Sequence, residues 1–404
     1  MAVGIQEKTA KQLNMVEGVQ IFVGSAGVKQ EKRKDLTLFM LSSGAEVAAV
    51  FTQNRFCAAP VSVSKKHLAT GKRVRALIVN TGNANAGTGA QGRNDAEMVC
   101  AGVAHQVNCE SDQVLPFSTG VIMEMLPVER ILDALPKLKP SYWDGAARAI
   151  MTTDTVPKSA SVRGIVGGHR VNVTGVAKGS GMICPNMATM LSFVATDAKA
   201  PKEVLEQMCR EVADETFNCV TVDGDMSTND SFVLIATGKA KLQVESVRDP
   251  LYAELKKLVA QVCLELAQGI VRDGEGATKF IEIEVMGARS RLEARRVAYA
   301  VAHSPLVKTA FYASDANLGR ILCAIGYSGI GDLDVEKVRV YLDNMLVCEK
   351  GGRADLYHDE DGMRVMQKDE IKVRVDLGRG EVEAKVYTCD LSHRYVEING
   401  SYRT

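Results

Sequence analysis

Short apolar segments of strand length, each closed by turn residues, crowd the first 110 residues of this chain. LTLFMLSSG, EVAAVFTQN, APVSVS and RALIVNTGNANAG follow one another and end for the most part in glycine, asparagine or serine. All four are read as strands. Helical periodicity interrupts them instead of alternating with them. Ala96, Val99, Cys100 and Val103 share a face within Asn94–His105, and a second helix is predicted over Val128–Leu135 between two prolines. Further on, Pro201 opens a helix with Val204, Leu205, Met208 and Val212 on one side. Another runs over Leu251–Ala267 with Leu255, Leu258, Val259, Val262 and Leu266 in a stripe. Without a strict strand–helix–strand rhythm, the pattern predicts an α+β sandwich.

Two hairpins are predicted: SVRGIVGGHRVNVTGVA about Gly167–Gly168, and IKVRVDLGRGEVEAKVYT about the GRG turn. The strand KFIEIEV places Ile281, Ile283 and Val285 on one face and Glu282 and Glu284 on the other. At 404 residues the chain is too long for one ordinary core.

Lysine plus arginine equal aspartate plus glutamate at 49 each, so no net field favours a nucleic acid or an anionic membrane as partner. No apolar run approaches the ~20 residues of a membrane span. The start, MAVGIQEKTAKQLN, lacks the apolar core of a signal peptide. Ten cysteines are scattered singly, without a CxxC pair, which predicts free thiols in a reducing cytoplasm and no zinc site.

The run Gly175–Asp197 carries the chemistry. Its glycines permit close backbone approaches, Pro185 fixes a torsion, and Thr189 then opens the apolar stretch MLSFVAT. Attack of the Thr189 hydroxyl on the Ala188 carbonyl gives an ester that water can hydrolyse. A chain beginning at Thr189 then has an α-amine of pKa roughly 7.7–8.0 beside its own hydroxyl, a nucleophile and base in one residue. On residue types alone the commoner reading of KGSG is a plain turn or a weak phosphate cradle, although the full P-loop pattern is absent.

KGSGMICPNMATML closely resembles the cleavage signature of the ornithine acetyltransferase family, the bifunctional glutamate N-acetyltransferases of arginine biosynthesis. The likeness extends in order through VFTQNRFCAAPV, NTGNANAGTG, STGVIMEMLP, IMTTDTVPK, TVDGDMSTNDS, RDGEGATKFIEIEV, FYASDANLGRI and DLSHRYVEINGSYRT.

The resemblance implies a layered α/β sandwich of the self-processing N-terminal-nucleophile type with a smaller C-terminal α/β region over about residues 280–404. It implies self-cleavage between Ala188 and Thr189, giving an alpha chain (1–188) and a beta chain (189–404) assembled as an α2β2 heterotetramer. Thr189 would carry acetyl from N2-acetylornithine to glutamate by ping-pong kinetics, without cofactor or metal. Some family members also take acetyl from acetyl-CoA; no residue here decides between the recycling-only and bifunctional types, and the bifunctional type is the expectation. By the same resemblance, Thr119 and Gly120 form the oxyanion hole. Thr152, Lys178, Thr189, Glu275, Asn399 and Thr404 contact substrate, with Thr153 easily confused with Thr152.

Asp223, Asp225, Ser227, Asn229 and Asp230 mimic a calcium loop, but Thr228 and Leu234 stand where glycine and glutamate belong, so helix-capping and turn roles are expected. Cys184 is expected to pack. Two other readings predict different products: a self-processing aminopeptidase or amidase hands its acyl group to water, and a non-catalytic binding protein stays uncut.

Overall fold

A computed structural model describes residues 2–30, 33–184 and 190–400. Ala188, Thr189 and Thr404 lie outside these described residues. The chain forms two compact units, one of Gln6–Asn218 with Met226–Ile270, the other of Met1–Ile5, Cys219–Asp225 and Val271–Thr404.

The larger unit is built from β1 (Val19–Gly24), β2 (Leu36–Leu41), β3 (Glu46–Phe51), α1 (Ala59–Ala69), β4 (Ala76–Asn83), α2 (Gly89–Val107), β5 (Val114–Val121), α3 (Val128–Ala134), β6 (Lys139–Ser141), α4 (Trp143–Ala149), β7 (Lys158–Val166), β8 (His169–Lys178), β9 (Leu191–Thr196), α5 (Lys202–Glu215), β10 (Ser231–Ala236) and α6 (Pro250–Arg272). Its strands make two five-stranded sheets, ordered β5-β4-β2-β1-β6 and β3-β10-β9-β8-β7. Both are mixed: β4 and β5 run parallel, as do β9 and β10, and each parallel pair is joined through a helix.

The two sheets bury a shared core. Ile21, Phe39, Leu77 and Phe117 of the first meet Val176, Leu191, Phe193 and Ile235 of the second. Phe193, with no exposed surface, packs at ring-centroid distances of 5.1 Å from Phe39 and 5.0 Å from Phe117. Fully burying each such ring stabilises by roughly 1.5–3 kcal/mol. On its other face the first sheet takes Val99, Cys100 and Val103 of α2 and Ile131 of α3. Helix α5 packs on β3 and β10 of the second. A helix–sheet–sheet–helix sandwich results, the α+β architecture expected from the sequence.

One expectation for this unit is overturned. APVSVS is not a strand but the opening of α1, with Pro60 in its first turn, where a missing N–H and a fixed φ suit a helix. Buried Ala59, Pro60, Val63, Ser64 and His67 follow helical spacing that six residues alone do not display.

The smaller unit holds β11 (Phe280–Ala288), α7 (Arg291–His303), α8 (Pro305–Tyr312), α9 (Leu318–Gly326), β12 (Arg339–Leu342), β13 (Met345–Glu349), β14 (Gly352–Arg353), α10 (Asp359–Met366), β15 (Glu370–Asp376), β16 (Val382–Cys389) and α11 (His393–Gly400). Its single sheet is ordered β14-β13-β12-β15-β11-β16, and α7 covers β11 and β16.

Here the predicted GRG hairpin fails. β15 and β16 do not pair, because β11 lies between them, parallel to β15 and antiparallel to β16. Glu282 and Glu284 of β11 thereby meet bases from both sides. Glu284 reaches Lys372 at 2.8 Å, Arg374 at 2.8 Å and Lys385 at 3.1 Å. Burial opposes ionisation of Glu284, but these three partners outweigh it and hold the carboxyl down at about 2.

Candidate active site

In the larger unit the STG segment ends β5, an edge strand of its sheet. Register along the parallel pair slips at Gly82–Asn83, so that Asn83 faces both Thr119 and Val121. Gly120 sits at φ +137°, and a Cβ there would lie 2.3 Å from the Gly82 carbonyl carbon and 2.5 Å from the Asn83 nitrogen. Only glycine fits this bulge. Thr119, 8% exposed, points its hydroxyl toward Lys178, whose Nζ donates to Thr119 Oγ1 at 3.2 Å. A hydroxyl that accepts from an ammonium keeps its own proton for another acceptor, and the cation makes it a better donor.

Lys178 is the last residue of β8 and pairs with Leu191, the first of β9. The chain carrying Ala188 and Thr189 therefore leaves and re-enters the sheet at adjacent strand ends. On the other side of β9, Leu191 pairs with Ser231, and the Ser231 amide donates to the Met190 carbonyl at 2.8 Å.

A buried carboxylate that sequence reasoning missed, Asp154, organises the loops around this point. Its Oδ1 accepts from Lys158 Nζ at 2.6 Å and from the Gly179 amide at 2.8 Å, and its Oδ2 accepts from the Thr152 amide at 2.9 Å. Burial alone would raise this group, yet Lys158 first, then Lys178 and the Gly179 N–H, hold it well below the ordinary carboxylate range. Gly179, at φ +149°, presents that amide from a backbone conformation L residues rarely adopt. Thr153 pairs its hydroxyl with Ser180 at 2.8 Å. Among the described residues the Thr152 hydroxyl has only a long 3.5 Å approach to Asp154. The two threonines thus differ: Thr153 braces the KGSG turn, and Thr152 keeps its hydroxyl more available.

Asp230, beside Ser231, is also buried, and its Oδ2 lacks a hydrogen-bond partner among the described residues. Burial pushes this carboxyl well above its ordinary range, against the pull of Ser227, Lys178 and Met190. The acidic cluster that mimics a calcium loop makes the expected turn contacts. Asn229 ties down carbonyls of other segments, and Ser227, Thr228 and Asp223 make local turn contacts. A side chain inside TVDGDMSTNDS facing two distant carbonyls leaves no sequence signal. Cys184 is half-buried.

In the smaller unit Asn399 of α11 donates to Glu275 Oε2 at 2.7 Å, while Glu275 itself is 7% exposed. The start of α11 is fastened by Ser392, whose hydroxyl donates to the Gly276 carbonyl at 2.6 Å. Nearby, Tyr395 donates to Asp223 at 3.3 Å; burial and that carboxylate hold its phenol well above the ordinary range. Thr119, Gly120, Thr152 and Lys178 are thus grouped in one unit, and Glu275 and Asn399 in the other. Among the described residues no group of three or more histidine, cysteine, aspartate or glutamate side chains is disposed to hold a metal, and no helix is long and apolar enough to cross a membrane.

A polarised hydroxyl, a glycine bulge and a lysine gathered at the rim of a mixed-sheet sandwich can stabilise a developing negative charge, the chemical requirement of group-transfer enzymes. The ArgJ family model matches residues 20–404, and the chain belongs to that family. It is 61% identical over 406 residues to the arginine biosynthesis bifunctional protein ArgJ of Neisseria meningitidis serogroup A / serotype 4A, with all of both chains covered. It is 60% identical, at the same coverage, to the protein of that name from Neisseria gonorrhoeae. It is also similar to the crystal structure of an arginine biosynthesis bifunctional protein ArgJ from Bacillus halodurans, at 38% identity and a TM-score of 0.48, covering 51% of this chain and 96% of that one.

Proposed function

We propose that this chain cleaves itself between Ala188 and Thr189 and then transfers acetyl from N2-acetylornithine to glutamate in arginine biosynthesis. The observation that carries this reading is the Lys178–Thr119 pair, set beside a glycine bulge at the strand ends that bracket the cleavage segment. Membership of the ArgJ family supports it.

In the first step the Thr189 hydroxyl adds to the Ala188 carbonyl, the C–N bond breaks, and the nitrogen takes up the proton the hydroxyl lost. Water then hydrolyses the ester, leaving an alpha chain (1–188) and a beta chain (189–404). In turnover the Thr189 amine takes the hydroxyl proton as oxygen attacks the acetyl carbon of acetylornithine. The Thr119 hydroxyl and the Gly120 amide stabilise the oxyanion, and ornithine leaves with the proton. Glutamate then takes the acetyl from the threonine ester by the reverse sequence.

Lys178 provides a cation for a substrate carboxylate, and Glu275, held by Asn399, provides a carboxylate for an amine. Thr152 and Thr404 complete the contacts. The enzyme needs no cofactor, takes acetyl-CoA as a second donor, and works as an α2β2 assembly in the cytoplasm.

End-group sequencing of active enzyme should yield a chain starting TMLSF, and Thr189→Ala should stay uncut and inactive. Offering glutamate against water as acceptor separates this reaction from an amidase. A single uncut, active polypeptide overturns the reading.

A further inference from the structure

We propose that Asn229 is a positioning residue for the oxyanion strand, clamping the bulge that carries Thr119 and Gly120 from the loop before β10. Its Nδ2 donates to the Ala84 carbonyl at 2.6 Å and to the Ser118 carbonyl at 2.8 Å. Ala84 directly follows β4, just past the register slip at Gly82–Asn83, and Ser118 lies in β5, where it pairs with Asn80 just before the slip. The Ala84 amide closes the same junction by donating to the Val121 carbonyl at 2.9 Å.

The Ser118 carbonyl lies in the same rigid peptide plane as the Thr119 nitrogen. Fixing that oxygen therefore fixes where β5 delivers the Thr119 side chain and where it enters the Gly120 bulge. Both amide protons of Asn229 are used, so no other small side chain reproduces the clamp. The amide is itself oriented. Thr228 Oγ1 donates to Asn229 Oδ1 at 2.6 Å, which forces the nitrogen to face the two carbonyls. Ser231 Oγ donates to the Asn229 carbonyl at 3.0 Å, and Ser227 Oγ accepts the Asn229 amide proton at 3.2 Å. Asn229 is 6% exposed, so water does not substitute readily for a lost donor.

The loop that holds the clamp also continues into β10, whose first residue pairs with the first residue of β9. One loop thus sets the oxyanion strand and lies beside the re-entry point of the cleavage segment.

This inference rests on the oxyanion role proposed for Thr119 and Gly120. The test compares Thr119→Val, Asn229→Asp and Thr228→Val in the full chain, with acetyl transfer normalised to the cleaved fraction seen on a denaturing gel. Asn229→Asp keeps the shape but removes both donors. It should lower kcat by up to ~100-fold, the cost of a small misplacement, with KM for acetylornithine unchanged. Thr228→Val leaves the amide but frees its orientation and should give a smaller drop with the same split. Thr228→Val also serves if Asn229→Asp does not fold. A folded Asn229→Asp or Thr228→Val protein with parental kcat, alongside a crippled Thr119→Val, overturns the clamp alone. Parental turnover by Thr119→Val overturns the oxyanion reading beneath it.

Discussion

The ammonium of Lys178 and the hydroxyl of Thr119 meet at 3.2 Å although they belong to different sheets of the sandwich. One side chain comes from the end of β8 and the other from the end of β5. Their meeting makes the rim of the two sheets a place where negative charge is stabilised.

Thr119→Val keeps the shape of the side chain and removes its donor. Turnover should fall by ~100- to 1000-fold, as for other lost oxyanion donors. Thr119→Ser should retain most of it. Steady-state acetyl transfer on cleaved enzyme measures both.

Gly120→Ala should damage both folding and activity. The new methyl would meet Gly82 and Asn83 backbone at distances no packed Cβ shows, and the φ is foreign to alanine. A loss of about 1–3 kcal/mol is expected, read as a lowered denaturation midpoint.

The Asp154–Lys158 pair is almost wholly buried, at 0% and 1% side-chain exposure. Asp154→Asn removes the carboxylate that the buried Lys158 ammonium meets at 2.6 Å and should cost about 3–5 kcal/mol. Adding Lys158→Met removes that charge and should recover part of the loss. Chemical denaturation of the single and double variants decides this, and a double variant no better than the single would refute it.

The two buried aspartates give opposite pH dependences. Asp154 has a lowered folded-state pKa, so its contribution is present above the unfolded value of ~3.9 and is lost as pH falls. Asp230 has a raised one, so its contribution is full below ~3.9 and declines as pH rises toward the folded value. Asp230→Asn should therefore gain on the parent as pH goes from 4 to 7, by at most ~1.4 kcal/mol per unit. Urea titrations at several pH values provide the check, and a pH-independent difference would contradict it.

Asn399→Ala should raise KM for substrate by about tenfold with little change in stability, because Asn399 is exposed while the Glu275 carboxylate it holds is buried. Glu275→Gln should lower kcat as well. Initial-rate kinetics separate the two.

Much of the fold was legible where periodicity was long. The helices at α2, α5 and α6 and the hairpin of β7 and β8 were all read from spacing and turn residues. The false hairpin of β15 and β16 shows what spacing omits. Both arms alternate, and so does β11, so local pattern cannot say which two strands touch. The charges could have told: Glu282 faces Lys372, and Glu284 faces Arg374 on one side and Lys385 on the other. Motif resemblance named Thr119, Gly120 and Lys178 in the larger unit and Glu275 and Asn399 in the smaller. It was silent on Asp154 and Asn229, because their importance lies in which backbone atoms they reach, and that appears only on folding.

The second sheet of the larger unit is ordered β3-β10-β9-β8-β7, with β9 and β10 from beyond residue 189 inserted between β3 and β8 from before it. Scission at 188/189 would therefore leave a joint sheet, laced by backbone hydrogen bonds along both seams. Unfolding such a nicked molecule releases two separate polypeptides. Recovery then depends on their collision and so on concentration, whereas the uncut precursor folds as one chain. A nicked molecule would therefore refold more slowly on dilution, whereas an uncut one would refold at a rate independent of concentration.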